Sequence, residues 1–388
     1  LLTTYNMSRK ILIGIYTDPQ GYPPTLNAIT ELSTCFENID VLYRPHIDGM
    51  WAYPVNVNLH PSGKLMSARA QEQSRLYKKI FFFLMFTWRL LRLGLKNKPK
   101  VFLMYDNLAL FSYFLVRPFF LFQHKIWFHS HDVHDIQMLR KFSIGWFSIK
   151  SEVRNFSKLD IFSLPTSERL KYYNMTAFKG KLFVLPNYPA KSFYNPFYRK
   201  DKKLDVIRIL YQGRVSEGHG IEYILKSIAI FGMKNWRLVL KGECNEGYKI
   251  ELCKLAGELK VPENLEFHGY IKYGDLPKSN ADCHIGIAIY EEINVMNSTI
   301  GTASNKIYEY AALGFPVLYL ANTSAANTLS QYNWAFPVTL NPDSIYQAVN
   351  KIMSHYALYS DEARKSFEGG LNFESHFQPV IDYLEKVV

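Results

Sequence analysis

The chain has 388 residues, 48% of them apolar and 20% charged, with a formal net charge of +11 at pH 7. That composition excludes a disordered or collagen-like chain, and the length predicts two domains, each able to bury its own core. The basic excess is confined to the first half: residues 1–195 carry 25 Lys and Arg against 12 Asp and Glu, and the remainder carries 20 against 22.

Residues 10–16 (KILIGIY) read as a buried first strand, 17–24 (TDPQGYPP) as the loop after it, and about 26–36 as a helix. In an open α/β sheet that loop lies on the ligand-facing edge, and Gly21 is the residue there that lets a ligand approach the backbone. No Gly-x-Gly-x-x-Gly pattern follows, so no dinucleotide fingerprint is read. Residues 40–43 read as a second strand and 45–63 as an irregular loop. The segment 75–98 is too charged, at Lys78, Lys79, Arg89 and Arg92, to span a bilayer. It is either a helix covering the sheet with its cations snorkelling outward, or an aromatic, basic-flanked helix lying in a membrane interface. Residues 108–122, interrupted by Arg117-Pro118, read as a buried helix.

Residues 100–105 and 125–129 are two more expected strands. The second runs into Phe128-His129-Ser130-His131-Asp132-Val133-His134-Asp135, the candidate chemical site of the first half. Three readings stay open there: metal ligation, a polar turn that contacts a sugar or accepts a proton, and helix capping by Asp132 or Asp135. A strand is expected at 159–164, then a helix capped at Thr166 or Ser167, and a last strand at 182–185. Residues 186–203, rich in Pro, Tyr and Lys, read as the interdomain linker.

The second half alternates cleanly. Strands are expected at 206–212, 236–241, 265–268, 283–289, 316–320 and 334–338, with helices at about 221–231, 248–259, 305–313 and 342–353. Such alternation implies a parallel sheet covered on both faces, with its ligand edge at the carboxyl ends of the strands. That edge collects Gly213, Arg214, His219, Lys241, Gly269 and Tyr270. It also collects the turn at Ser304, which N-caps a helix ended by Gly314 and Pro316. Free N–H groups of Asn305 and Lys306 at that helix start, beside the Lys306 cation, form a diphosphate site, and Glu309 one turn on is placed for a pair of sugar hydroxyls. Arg214 can fork onto phosphate oxygens and Lys241 can add a point charge. The four cysteines (Cys35, Cys244, Cys253, Cys283) have no metal spacing and read as reduced thiols of a reducing compartment. The apolar run nearest the start is only of strand length and is not read as a secretory signal.

These residues resemble the retaining glycosyltransferases of family four, most specifically in Ser304-Asn305-Lys306-Ile307-Tyr308-Glu309-Tyr310, which is similar to the Pro-Asn-Lys-Leu-Tyr-Glu-Tyr segment of bacterial polysaccharide enzymes. The resemblance is strongest from Leu210 to Val317. It implies an α/β fold of two Rossmann-like domains facing a central cleft (GT-B), over 1–190 and 204–370, with a closing helix in 371–388 that packs back on the first domain. It also implies that the turn from Ala303 to Lys306 meets a donor diphosphate and that Arg214 sits on the phosphates. Glu309 then holds the ribose, and the backbone of Gly269, Tyr270 and Ile271 lies against the base. His131-Asp132 matches the family's His-Asp turn, placing His131 at the donor sugar, with His129 and Asp132 on the acceptor side. Three departures stand out. His219 occupies the position of a usual lysine; Gly301 falls where the first acid of a Glu-x7-Glu motif belongs, with the question of whether Glu291 or Glu292 substitutes left open; and the loop 18–24 lacks the paired glycines common in the family.

The expected activity is transfer of a hexose from a UDP- or GDP-linked sugar to a glycan or lipid-linked acceptor, with retention and with no metal or other cofactor. Arg214, Lys306 and Glu309 carry the donor chemistry and His131 the sugar side. A basic acceptor half suggests a cytoplasmic protein, peripheral at an anionic membrane surface. Alternatives are a sugar-nucleotide epimerase of the same shape and a non-catalytic nucleotide-sugar-binding subunit, favoured by Gly301 and His219. No nucleic-acid recognition motif or basic-aromatic stripe is present, so nucleic acid is not expected as a partner.

Overall fold

The structure, a computed structural model, describes residues 9–47, 51–67, 70–71, 73–133, 136–321 and 323–388. They divide into two units: the residues up to Pro186 together with His376–Val388, and Asn187–Ser375.

The first unit holds one parallel sheet of seven strands: β1 (Lys10–Ile15), β2 (Asn38–Tyr43), β3 (Val57–Pro61), β4 (Val101–Tyr105), β5 (Lys125–His129), β6 (Ile161–Leu164) and β7 (Lys181–Val184). Their order is β3-β2-β1-β4-β5-β6-β7. Strands such as VFLMY are apolar along their whole length because helices cover both faces of an all-parallel sheet. Its helices of two turns or more are α1 (Pro23–Leu32), α2 (Leu76–Asn97), α3 (Asp106–Val116) and α4 (Ile144–Asn155). On one face, Phe86 and Leu90 of α2 and Leu110 and Tyr113 of α3 pack on Leu12, Phe102, Phe128 and Phe162 of the strands.

The second unit holds six parallel strands: β8 (Ile207–Gln212), β9 (Trp236–Lys241), β10 (Leu265–Gly269), β11 (Ile285–Ala288), β12 (Val317–Leu320) and β13 (Ala335–Val338). Their order is β10-β9-β8-β11-β12-β13. Its longer helices are α5 (Ile221–Ile230), α6 (Glu246–Glu258), α7 (Asn305–Ala312), α8 (Pro342–Ser354), α9 (Tyr356–Gly369) and α10 (Phe373–Val387), the last continuing into the first unit from His376. In each sheet the strand order reverses beside its first strand, between β1 and β4 and between β8 and β11. Loops leaving those strand ends diverge there and leave room for a ligand.

Several expected elements differ. The loop 45–63 contains β3, a partly exposed edge strand that ends at Pro61, where a missing N–H costs no ladder bond. The helix expected after Thr166 is a 3-10 run, Ser167–Tyr172. The stretch expected as a linker folds into the second unit instead: Tyr188 and Tyr194 are buried in its core, and Tyr188 packs on Tyr308 at 4.3 Å. Helix α9 was not expected at all. Its Arg364 donates to the carbonyl of Ala312 at 2.5 Å, satisfying the carboxyl end of α7. Among the described residues, no helix is long and apolar enough to cross a membrane.

Candidate functional site

Two sets of groups converge at strand ends, one in each unit. In the second unit the site begins where β8 stops. Gln212 ends the strand and Gly213 turns with φ +116°, a conformation that a side chain would strain. A Cβ there would also sit 3.4 Å from the ammonium of Lys306. Gly213 therefore leaves open the space into which α7 points its lysine. The turn is fixed by the Gly213 N–H donating to the Lys241 carbonyl at 2.9 Å, and the neighbouring Gly242 N–H donates to the Gly269 carbonyl at 2.7 Å.

Helix α7 starts as the sequence implies. The Ser304 hydroxyl caps it, accepting from the Ile307 N–H at 3.4 Å, and is itself held by the Tyr290 hydroxyl at 2.7 Å. The first N–H groups, of Asn305 and Lys306, are left for a ligand, and the Asn305 Oδ1 is a buried acceptor with no donor. The Lys306 ammonium lies 4.1 Å from the centre of the Tyr211 ring and 5.0 Å from that of Tyr290. Loss of solvent pushes its pKa down to about 7 despite the nearby Glu309 carboxylate. Arg214 is exposed, and among the described residues its guanidinium has no ion pair.

Glu309 is 4% exposed. It is not the open carboxylate expected: the Gln212 side-chain amide donates to it, and the buried Tyr194 hydroxyl lies nearby. Gln212 is oriented in turn by the Asn280 amide at 2.5 Å and, through its own N–H, by the Tyr310 hydroxyl at 3.0 Å. Burial pushes the Glu309 carboxyl up to about 7, against the pull of the nearby Tyr194 hydroxyl, the Gln212 amide and the charge of Lys306.

His219 packs against Tyr211, and its Nδ1 meets the Ile289 carbonyl at 3.0 Å. Burial and the Lys306 charge hold its pKa down near 4, so it stands neutral where a lysine would carry a charge. Lys241 needs correction: its ammonium is bound to the Ser279 carbonyl and, at 2.9 Å, to the Ser279 hydroxyl, so it braces the fold rather than standing free as a point charge. Gly269 (φ +67°) and Tyr270 are exposed at the end of β10, with Ile271 half-buried beside them. Ala303 lends its carbonyl to Asn187 at 2.8 Å. Gly301 is a buried bend fixed by the Ser324 hydroxyl at 2.9 Å, and Glu291 lies against the Gly218 turn, one residue from His219.

In the first unit the ligand edge is built around His131. Its ring is sandwiched between Tyr22 at 4.7 Å and Tyr105 at 4.9 Å, and its Nε2 meets the Thr25 hydroxyl at 2.9 Å. It is 4% exposed, and burial holds its pKa well below the ordinary value. His131 is therefore a neutral, packed imidazole and not a free base. His129, expected on the acceptor side, is buried against Ser163 at 2.8 Å and held near 3 by burial, so it belongs to the core. The two rings meet edge to face at 4.7 Å with different partners and do not converge on an ion. Asp132 is half-buried, 3.8 Å from Arg169, whose guanidinium also donates to the His131 carbonyl at 2.6 Å. His134 and Asp135 lie outside the described residues. Gly21 is exposed with ordinary backbone geometry. Its loop is held by Asp18, which accepts from the N–H groups of Gln20, His46 and Ile47 at 3.1–3.2 Å.

Sequence reasoning missed Asp106. It opens α3 with φ +62°, a conformation in which a non-glycine residue stores strain, and accepts from the His131 N–H at 3.2 Å. Burial and the neighbouring Asp132 push its carboxyl up to about 7. Its position directly after β4 was the available signal. Gln212, last residue before the Gly213 turn, was equally placed to be noticed.

Residues 196–368 match the family model of the glycosyl transferases group 1. Three solved structures are similar over nearly their whole length. They are a glycosyltransferase from Rickettsia africae (12% identity, 99% of each chain, TM-score 0.71), sucrose-phosphate synthase from Thermosynechococcus elongatus (12%, 98% of this chain and 99% of that one, 0.69), and Anabaena Alr3699/HepE in complex with UDP and glucose (13%, 97% and 99%, 0.65). No protein of curated function matches by sequence. The resemblance to GT-B glycosyltransferases holds, and the two parallel-sheet units are that fold.

Proposed function

We propose that the chain is a retaining hexosyltransferase that uses a nucleotide-diphosphate sugar as donor and a glycan or lipid-linked acceptor in surface polysaccharide assembly. One observation carries the reading. The Lys306 ammonium lies beneath the Gly213 turn at the start of α7, where free N–H groups and the unpaired Arg214 face the same strand edge. As the glycosidic bond breaks, negative charge gathers on the leaving diphosphate. Arg214, Lys306 and the N–H groups of Asn305 and Lys306 stabilise that charge as it develops. These groups already supply positive charge, so we assign no metal to this task. The ribose hydroxyls exchange with the Gln212 amide at Glu309, and the backbone of Gly269–Ile271 supports the base. The buried Asn305 Oδ1 offers an acceptor to a donor hydroxyl. The Anabaena protein's complex with UDP and glucose favours uridine over guanosine as the base.

The acceptor belongs to the edge around His131, Asp132 and Asp106 in the basic half of the chain, which suits an anionic or lipid-linked molecule at the cytoplasmic face of a membrane. Because His131 is neutral and packed, its task is to shape this edge, and attack on the same face that the diphosphate leaves requires no separate base. Thermal shift with UDP, GDP and their sugars tests the donor half, since a ligand of the folded state raises apparent stability. Wild type is stabilised and Arg214→Ala with Lys306→Ala is not; equal stabilisation of both would remove the site. Incubating the UDP-sugar alone, with product analysis, separates transfer from epimerisation. The Gly301 bend, which presents no acid, favours one further reading, a nucleotide-sugar-binding subunit, which would bind UDP-sugar and neither transfer nor hydrolyse it.

A further inference from the structure

Helix α2 buries little for its 22 residues: Phe83, Phe86, Thr87, Leu90 and Gly94 are covered by the sheet and by α3. Tyr77, Phe81, Leu84, Trp88 and Leu95 are all exposed, Phe81 by 61% and Trp88 by 63%. Their spacings of four, three, four and seven residues put them in one stripe, since a helix turns about 100° per residue. Lys78, Arg89, Arg92 and Lys96 lie about a quarter-turn round the helix from that stripe, and α2 contains no acidic residue. Among the described residues none of these four cations is ion-paired. A helix kept only for its core contacts has no need of this arrangement, because aromatic side chains left in water are unfavourable and serve no packing.

Neighbouring elements extend the same character. The Thr87 hydroxyl donates to that of Ser112 at 3.1 Å and Phe83 stacks on Phe111 at 5.3 Å, so α2 and α3 lie side by side in one layer over the sheet. Beyond them a cavity of about 1050 Å³ opens between α3 and α4, lined by the cations Arg117, Lys150, Arg154 and Lys158 and by one acid, Asp160. An apolar stripe flanked by unpaired cations complements a surface that is negative outside and apolar beneath.

We propose that the outer face of α2 docks on a bilayer of anionic lipids, the aromatic stripe entering the headgroup–acyl boundary and the basic stripe resting on the phosphates. The helix links two parallel strands, β3 and β4, and so runs antiparallel to them. Its first half, with Tyr77, Phe81, Leu84 and Trp88, therefore lies toward the carboxyl edge of the sheet, where His131 and Asp132 sit. Docking there holds that edge near the membrane. On the reading above, this is where a lipid-linked acceptor presents its head.

The test is flotation with phosphatidylglycerol-containing vesicles and with pure phosphatidylcholine vesicles, at low and high salt, with Trp fluorescence as a second readout. Wild type floats with anionic vesicles at low salt only, with a blue shift that Trp88→Phe diminishes. Phe81→Ser with Trp88→Ser, and separately Lys78→Glu with Arg92→Glu, weaken binding at least about tenfold. All these side chains are exposed, so the variants keep the wild-type thermal shift with UDP. Equal binding of either double variant and wild type overturns the proposal, as does equal binding to both vesicle types. So does a dimer that Trp88→Ser dissociates, which would show that the stripe meets a second copy. Loss of vesicle binding with UDP stabilisation intact would count against this docking and leave the donor site standing.

Discussion

Replacing Glu309 by Gln separates a ligand-binding role from a merely structural one, because the two predict opposite signs. Burial lifts the Glu309 carboxyl from its ordinary 4.5 to about 7. At about 1.4 kcal/mol per pH step, holding it ionised in the fold at pH 8 costs about 3 kcal/mol relative to the unfolded chain. The sign follows from proton binding: the folded state holds the proton more tightly, so this penalty is absent below about 4.5, grows as pH rises to about 7, and is constant above. A glutamine carries no such penalty, and its carbonyl still accepts from Gln212. Lost attraction to Lys306 offsets part of the gain. If half survives, Glu309→Gln stabilises the second unit by about 1.5 kcal/mol at pH 8, or roughly 3–6 °C in its thermal transition. Near pH 5 the gain disappears. UDP affinity moves the other way, falling about 10-fold or more, because the ribose hydroxyls lose a charged acceptor worth about 1.5–3 kcal/mol. Scanning calorimetry at both pH values and titration calorimetry with UDP measure the two halves. A variant less stable than wild type at pH 8, with UDP affinity unchanged, would refute the reasoning, since Glu309 would then be a satisfied core residue and nothing more.

Three further outcomes follow from the same geometry. UDP affinity falls as pH rises above about 7, where Lys306 loses its proton, and Lys306→Arg flattens that limb because a guanidinium stays charged; titration calorimetry from pH 6 to 9 reads it, and an affinity independent of pH would count against Lys306 as a phosphate ligand. His219→Lys tightens UDP binding about 10-fold at pH 8 by adding a charge at a site now neutral, and lowers the stability of the free protein through repulsion with Lys306. Gly242→Ala, whose Cβ would stand 1.8 Å from the Gly213 carbonyl oxygen at φ +148°, destabilises the second unit by about 3 kcal/mol or more in urea unfolding and weakens UDP binding, since the same turn frames Lys306.

What the sequence disclosed and what it hid divide along a physical line. Strand positions, the Ser304 cap and the Gly213 turn depend on residues close in the chain, and they were legible from apolar runs and turn chemistry. Edge strand β3 was not, because its exposed alternation and terminal proline resemble a loop. Helix α9 was not, because the partners that hold it are distant in sequence: Arg364 bonds to the Ala312 carbonyl and the Asn195 side chain, and Ala363 and Phe367 pack into the core around α7. Side-chain roles were read least well where the deciding partner is distant in sequence. Lys241 looked like a free cation until Ser279, 38 residues away, took its ammonium. His131 stood open as a metal ligand, a sugar contact or a proton acceptor until Tyr22 and Thr25, more than a hundred residues earlier, enclosed it.

Those distant partners also change what the site does before a ligand arrives. Residue types alone suggest a charged edge, with Lys306 positive and Glu309 negative near neutral pH. Burial moves both toward pH 7, while His219 is held neutral well below it. By its own residues the site is thus poised close to the point at which its charges appear or vanish. A diphosphate favours the protonated lysine and a ribose favours the ionised carboxylate, so the donor itself supplies the field that fixes both states. Binding should then take up a proton at Lys306 above pH 7 and release one from Glu309 below it. Calorimetric titrations of UDP in buffers of different ionisation enthalpy measure that exchange directly. Proton exchange that does not change sign near neutrality would mean that the two groups do not respond to the same ligand.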